Sequence, residues 1–280
     1  MPQSFVNQAT GRCSVEGAKL WFSCNPNSRR HYFKLEWINR YKDKRLLYLH
    51  FTMDDNYSLS ERTKERYRSM YSGVFYRRYI LGEWVSADGL IYDMWDDDQN
   101  TFTLNEELKQ RLKSCTRYIA VDYGTVNPMV FLDCYDDGKT IYIANEYYYD
   151  SRANMGRRQK TDSEYANDFD NFVGRDRSVT VVMDPSAVSF RTELRNRGYH
   201  VREANNDVID GIRRVSTMIL KRYLKVEKKC SAFLREVSGY IWDEKAILHG
   251  EEKPVKVGDH AMDATRYLIN TVVSKNRMIL

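Results

Sequence analysis

The sequence predicts an α/β fold in which one mixed sheet is flanked by helices. Three strand-like runs follow one another closely between residues 117 and 149, and from residue 163 onward helical and strand-like runs alternate. The first pattern is that of an antiparallel meander. The second is that of right-handed crossovers, which return each later strand parallel to the first. A third observation concerns where apolar runs stop. Ile119-Ala120-Val121-Asp122-Tyr123-Gly124 and Val181-Val182-Met183-Asp184-Pro185-Ser186 each close on an aspartate, and Gly258-Asp259-His260-Ala261-Met262-Asp263-Ala264-Thr265-Arg266-Tyr267 carries two more. Aspartate is a poor strand residue and costly to bury alone, so its place at these ends needs a reason.

Taken in order, residues 19–24 are expected to form a short apolar strand and Asn25-Pro26-Asn27-Ser28 a turn. Residues 32–41 are expected to be helical and residues 46–52 to alternate as a strand. Residues 60–71 suit a charged helix with Ser60 as N-cap. The character changes near Trp84. Ser86-Ala87-Asp88-Gly89 is a turn, and Asp96-Asp97-Asp98 is a solvated acidic run. Strands are expected over 117–122, 129–135 and 140–149, with Asp136-Asp137-Gly138 turning the last two into a hairpin. Then come a helix at 163–173, a buried strand at 179–183 and a helix at 189–197 closed by Gly198. A strand at 199–203 and a long helix at 208–221 follow, the helix presenting Ile209, Ile212, Val215, Ile219 and Leu220 on one face. Helices at 233–242 and 261–273 complete the set. This is the strand order of an RNase H-like sheet, in which Asp122 lies beside Asp184 and the last helix approaches from the side.

The 280 residues allow one large domain or two smaller ones, and 42% hydrophobic content is enough for a real core. A net charge of +5 is compatible with a polyanionic partner without requiring one. The 21 tyrosines serve as amphipathic core residues or as stacking platforms. Five scattered cysteines with no CxxC pair argue against a zinc site and against a disulfide framework, and the expected setting is a reducing cytoplasm. No apolar run approaches the roughly 18 residues that span a bilayer.

Carboxylates gathered from distant parts of a chain repel one another unless a cation lies between them, and an all-oxygen set suits Mg²⁺ or Mn²⁺. Asp122, Asp184 and Asp263 are therefore the candidate catalytic and metal-binding carboxylates, with Asp259 as a further candidate ligand. Two such ions would lower the pKa of an attacking water and stabilise a leaving 3′ oxygen. His260 would assist proton transfer or orient a ligand. Each residue has a plainer reading. Asp122 and Asp184 suit turns, Asp259 suits an N-cap, and His260 suits a packed or surface histidine. Asp263, inside a helix, has no capping role to play. Glu146 is a possible fourth carboxylate, although strand alternation could equally turn it to solvent.

Three segments resemble the large terminase subunit of tailed bacteriophages. Trp21-Phe22-Ser23-Cys24-Asn25-Pro26-Asn27-Ser28 is similar to the late coupling segment of the packaging ATPase. Tyr76-Arg77-Arg78-Tyr79-Ile80-Leu81-Gly82-Glu83-Trp84, followed by Gly89-Leu90-Ile91-Tyr92, is similar to the junction into the nuclease domain. Asp122, Asp184 and His260-Ala261-Met262-Asp263-Ala264 are similar to the nuclease site. The resemblance implies that residues 1–85 are a C-terminal remnant of the P-loop packaging ATPase domain and residues 86–280 an RNase H-like nuclease domain. It implies a metal-dependent endonuclease that cuts concatemeric double-stranded phage DNA. It also implies a portal protein and a small terminase subunit as partners, and the bacterial host cytoplasm as location.

The chain departs from the full family in lacking a G-x-x-x-x-G-K-[ST] loop, so ATPase activity is not expected from it alone. Basic groups that could meet DNA phosphates are Arg152, Arg157, Arg158 and Lys160 in the loop after the third strand, and Arg213, Arg214, Lys221 and Arg222 on a helix. The loop is the better candidate, because it leaves the sheet that carries Asp122, and Arg157, Arg158 and Lys160 are its candidate DNA-binding residues. Two other readings compete: a non-catalytic docking module, and another RNase H-like nuclease of the transposase or resolvase type.

Overall fold

The computed structural model describes residues 3–124, 127–152 and 158–274. Its centre is a seven-stranded mixed sheet in the order β1-β7-β4-β3-β2-β5-β6. The strands are β1 (Thr101–Phe102), β2 (Thr116–Asp122), β3 (Met129–Asp136), β4 (Ile141–Tyr149), β5 (Thr180–Met183), β6 (His200–Glu203) and β7 (Leu224–Glu227). β2, β3 and β4 form the antiparallel meander. β5 then pairs parallel to β2, β6 parallel to β5, and β7 parallel to β4. Gly138, at φ 90°, supplies the left-handed conformation that the β3–β4 turn requires.

The helices are α1 (Gln3–Gly11), α2 (Glu61–Arg68), α3 (Gly73–Tyr79), α4 (Asp97–Asn100), α5 (Glu106–Leu112), α6 (Asp162–Val173), α7 (Val188–Asn196), α8 (Val208–Leu220), α9 (Ser231–Gly239), α10 (Glu244–Leu248) and α11 (His260–Val272). Several start where a capping residue sets them. Ser60 accepts from the Thr63 amide to open α2, and Thr161 and Glu164 form a capping box on α6.

Strand alternation divides the core in two. Ile119, Val121, Phe131, Val181 and Met183 face α6 and α7, where Phe131 stacks on Tyr147 with centroids 4.6 Å apart and meets Phe169 edge-on. Ala120, Val130, Leu132 and Val182 face the opposite side, where they pack with α8, α9 and α11. The same alternation aims Asp122, two residues after Ala120, and Asp184, two after Val182, toward the α11 side.

Several expectations for the first 85 residues differ from what the structure contains. Residues 19–24 and 46–52 are extended but belong to no strand, and the helix expected over 32–41 is shorter, spanning residues 32–38 with Lys34–Ile38 as a π-helical segment. The apolar alternation is present, yet a strand exists only where a neighbour takes its amides and carbonyls. Among the described residues none pairs with these segments, and Leu47, Leu49 and Phe51 stay exposed. β1, β7, α1, α3, α4, α5 and α10 were not expected; β1 has only two residues, too few to carry a readable period. The final turn of the expected helix at 233–242 is instead extended, with Ile241 bridged to Leu90. Residues before position 86 pack directly on the sheet domain. Phe75 lies in the α11-side core, and the buried Arg78 guanidinium is bound by Glu252 and by the Val85 carbonyl.

Candidate functional site

β2 and β5 are adjacent and parallel, with Val121 opposite Met183, so Asp122 and Asp184 leave the sheet side by side at the same end. This is the edge at which ligands of open α/β sheets collect. Gly124, two residues after β2, is closely approached by backbone: a Cβ there would stand 2.3 Å from the Asn127 carbonyl oxygen, so a side chain would force the backbone to shift. α11 lies across the same edge and contributes Asp263 and His260, with Asp259 immediately before it.

Each acidic residue has a distinct partner. His260 Nδ1 is 2.8 Å from Asp122 Oδ2, and both side chains are largely buried. Burial pushes the Asp122 carboxyl above its usual range, and the neighbouring Asp263 and Asp259 push the same way; the His260 hydrogen bond opposes them without cancelling them. Burial lowers His260, but the hydrogen bond and charge of Asp122 outweigh it and raise its pKa overall. Asp184 accepts the Ser186 amide at 2.7 Å and the Asn206 Nδ2 at 3.2 Å. Burial would raise it, yet these bonds, with a further one from Tyr267, bring it below the usual carboxylate range. Asp263 is held on one oxygen by Arg266, with Nη2 at 3.0 Å and Nε at 3.3 Å, and on the other by Lys256 Nζ at 2.6 Å.

Asp259 occupies the N-cap position of α11, but its side chain makes no capping hydrogen bond. Glu236, reaching from α9, accepts the Ala261 amide at 2.6 Å instead. Asp259 is buried at 3% exposure, and its Oδ2 lies 3.0 Å from Lys256 Nζ outside hydrogen-bond geometry, without a hydrogen-bond partner among the described residues. Glu146 caps α9 through the Ala232 and Phe233 amides, so the possible fourth carboxylate is spent on a helix N-terminus.

Lys256, Arg266, Asn206 and Glu236 are site residues that the sequence reading missed. Arg266 follows Asp263 by three positions on a helix, which is a readable pairing signal. Lys256 precedes Asp259 by three positions, outside any helix, and Asn206 and Glu236 reach the site only through tertiary folding. Of the candidate DNA contacts, Arg158 is exposed but ion-paired with Glu164. Lys160 binds Asp168 and lies 4.1 Å from the centroid of the Tyr149 ring. Arg152 is exposed and donates to Asn127 at 3.3 Å. Arg157 lies outside the described residues. On α8, Arg213 and Arg214 both pair with Asp210.

Among the described residues, no three His, Cys, Asp or Glu side chains stand close enough to hold one ion as they lie. In kind, the donors fit a hard divalent cation: aspartates, one of them with a buried oxygen that accepts no hydrogen bond among the described residues, and one imidazole. Lys256 and His260 hold the places beside Asp263 and Asp122 that such a cation would share. No helix among the described residues is long and apolar enough to cross a membrane.

No protein-family model matches the chain, and no curated protein does. Solved structures do match. The large terminase from a thermophilic bacteriophage, in complex with ATP-γ-S, is 48% identical over 98% of this chain and 68% of that chain, with a TM-score of 0.90. The P22 large terminase nuclease domain shares the fold at 19% identity, covering 64% of this chain and 90% of that chain, with a TM-score of 0.51. The sheet is thus that of the RNase H-like nuclease domains of terminases. With nearly half of its residues identical to the thermophilic phage protein over almost its whole length, the chain belongs to the large terminases of bacteriophages.

Proposed function

We propose that this chain is a metal-dependent endonuclease that cuts double-stranded phage DNA during packaging, with Asp122, Asp184 and Asp263 as the carboxylates that hold Mg²⁺ or Mn²⁺. The observation that carries the reading is the placement of Asp122 and Asp184 at the same end of two adjacent parallel strands, on the face crossed by the helix that bears Asp263 and His260. A structural role explains these acids poorly, because burial disfavours the ionised form of Asp122 in the protein as it lies.

Bound divalent ions would supply activation of the attacking water and stabilisation of the leaving 3′ oxygen. The chain's own residues have separable tasks. Asp184 is kept ionised by Ser186 and Asn206, so it is ready to accept a cation without first losing a proton. Asp263 is fixed on one oxygen by Arg266, and its other oxygen is open to exchange of Lys256 for a metal. The hydrogen bond and charge of Asp122 raise the His260 pKa; with a cation on Asp122 that support would weaken, and the imidazole would become a better proton acceptor. Asp259, buried at the same helix start, is a further candidate ligand.

Phosphate contacts would come from the loop after β4. Arg158 and Lys160 serve there by exchanging Glu164 and Asp168 for the DNA backbone, and the contacts are expected to be salt-sensitive and indifferent to sequence. Membership of the family suggests a portal protein and a small terminase subunit as partners, and the host cytoplasm as the place of action.

The deciding experiment is plasmid nicking by the purified chain in Mn²⁺, Mg²⁺ and EDTA, beside Asp122→Ala and Asp263→Ala. Cleavage that needs metal and disappears in both variants supports the reading. Metal-independent cleavage, or a folded wild type that cuts in neither metal, counts against it and favours a docking module.

A further inference from the structure

Arg266 sits in the middle of α11 at 2% exposure, and its guanidinium joins two elements. Nε and Nη2 both reach Asp263 Oδ1, at 3.3 and 3.0 Å, while Nη1 donates to the Asn206 main-chain oxygen at 2.9 Å. The side chain of that same Asn206 donates to Asp184 Oδ2 at 3.2 Å. A continuous path therefore runs from Asp263 through Arg266 and Asn206 to Asp184, two candidate ligands that belong to different elements. The loop carrying Asn206 is stitched to α11 on either side, since Asn270 also donates to the Asp207 oxygen at 3.3 Å. Asn270 donates to the Asn205 oxygen at 3.0 Å, and the Asn205 amide donates to Thr271 Oγ1 at 2.9 Å.

α8 is shaped to admit the guanidinium stem. A Cβ on Gly211 would stand 2.4 Å from Arg266 Cγ and 2.9 Å from Cδ, closer than carbon atoms approach one another. α8 is otherwise a good helix, and a glycine inside it is unfavourable relative to alanine. The space it leaves is filled by Arg266. An arginine suits this place better than a lysine, because its rigid planar fork aims separate N–H groups at the carboxylate and the carbonyl at fixed angles.

We propose that Arg266 and Asn206 form a positioning strut that fixes Asp263 and Asp184 relative to each other, so that carboxylates from α11 and β5 can take one divalent cation together. The strut rests on the metal-dependent reading given above. Neither residue is a ligand; each acts through the aspartate it holds. Outer groups of this type set ligand orientation, and their loss weakens metal binding by about 10- to 100-fold. An ordinary buried ion pair would act differently, changing stability and leaving metal affinity alone.

The test is isothermal titration of the full chain with Mn²⁺, with melting temperatures in EDTA beside it, for wild type, Asn206→Ala, Arg266→Lys and the double variant. Asn206 is exposed, so Asn206→Ala is expected to fold as wild type does. The strut predicts at least about tenfold weaker Mn²⁺ binding in Asn206→Ala, with an unchanged melting temperature. Arg266→Lys keeps the charge, loses the bridge, and should weaken binding at least as much. The double variant should bind no more weakly than the weaker single variant, since both break one path. Unchanged Mn²⁺ affinity in a folded Asn206→Ala overturns the strut, and does so even if Arg266→Lys fails to fold. A folded wild type that binds no Mn²⁺ overturns the metal-dependent reading, and the strut with it.

Discussion

Lys256 Nζ stands 2.6 Å from Asp263 Oδ2 and 3.0 Å from Asp259 Oδ2, so a side-chain cation from the loop before α11 bridges the two acids of that helix start. Burial lowers the Lys256 pKa, but the two carboxylates outweigh it and raise it, so the amine stays charged across the physiological range. The side chain is 58% exposed, however, and exposed ion pairs contribute only about 0–1 kcal/mol. A divalent ion should displace it easily. Lys256→Met is therefore expected to tighten Mn²⁺ binding by about two- to fivefold, the equivalent of up to ~1 kcal/mol. Titration calorimetry checks this. Weaker binding in the variant would mean that the amine supports the site instead of competing for it.

Asp122 carries a different expectation. Its folded pKa is raised, so the metal-free protein is fully stable with respect to this group only below pH 3.8 and loses stability as pH rises through the folded value. At neutral pH the ionised side chain is a burden without a cation. Asp122→Asn is neutral at every pH and keeps an acceptor for His260. It should abolish nicking and raise the melting temperature in EDTA by about 2–4 °C, the shift that roughly 1 kcal/mol gives in a chain of this size. Differential scanning calorimetry in EDTA decides it. A melting temperature below wild type would show that the His260 contact outweighs the burial of the charge.

The legible parts of this fold are those in which local pattern and tertiary context agree. β2 to β6 and the helices between them carry clear periods, caps and turn residues, and the structure places them within a residue or two of the expected bounds. Asp122 and His260 were each readable as candidates, from a strand end and a helix start, although their contact spans 138 positions of chain. Asp259 was readable only as far as the backbone: it lies at the N-cap, but Glu236 from α9 does the capping. Nothing local to Glu236 or Asn206 announces contacts made across 25 and 22 positions of chain. The strands expected near Trp21 and Leu47 failed for the opposite reason, since a strand pattern cannot say whether a pairing neighbour is present.

One buried ion pair ties the first 85 residues to the rest of the chain, beside the apolar packing of Phe75. Arg78 and Glu252 have side chains 3% and 7% exposed, and Arg78 also binds the Val85 oxygen. Truncating one partner strands the other charge in the interior, which costs about 3–5 kcal/mol. Arg78→Met should therefore destabilise the chain by about that amount in urea, whereas Arg78→Met with Glu252→Leu should recover most of the loss. Equal losses in the single and double variants would mean that the Val85 carbonyl, and not Glu252, is the partner that matters.

Asp170 predicts the acid limb. It sits on α6 with Arg197 Nη1 at 2.9 Å and Arg177 Nη1 at 2.9 Å, and Tyr199 also donates to it. Burial would raise its carboxyl, but the hydrogen bonds from Tyr199, Arg197 and Arg177 outweigh it, and the net shift is downward. An acid with a lowered folded pKa contributes stability above its unfolded value, here 3.8, and loses it as pH falls through the folded value. Asp170→Asn should thus melt below wild type at neutral pH, and the gap should close as pH falls below 3.8, where the wild-type carboxyl takes up its proton. The measurement is the difference in melting temperature between the two proteins across an acid series. A gap of constant size down to the lowest pH would assign the loss to altered packing between α6 and α7, because packing, unlike the ion pairs, does not titrate.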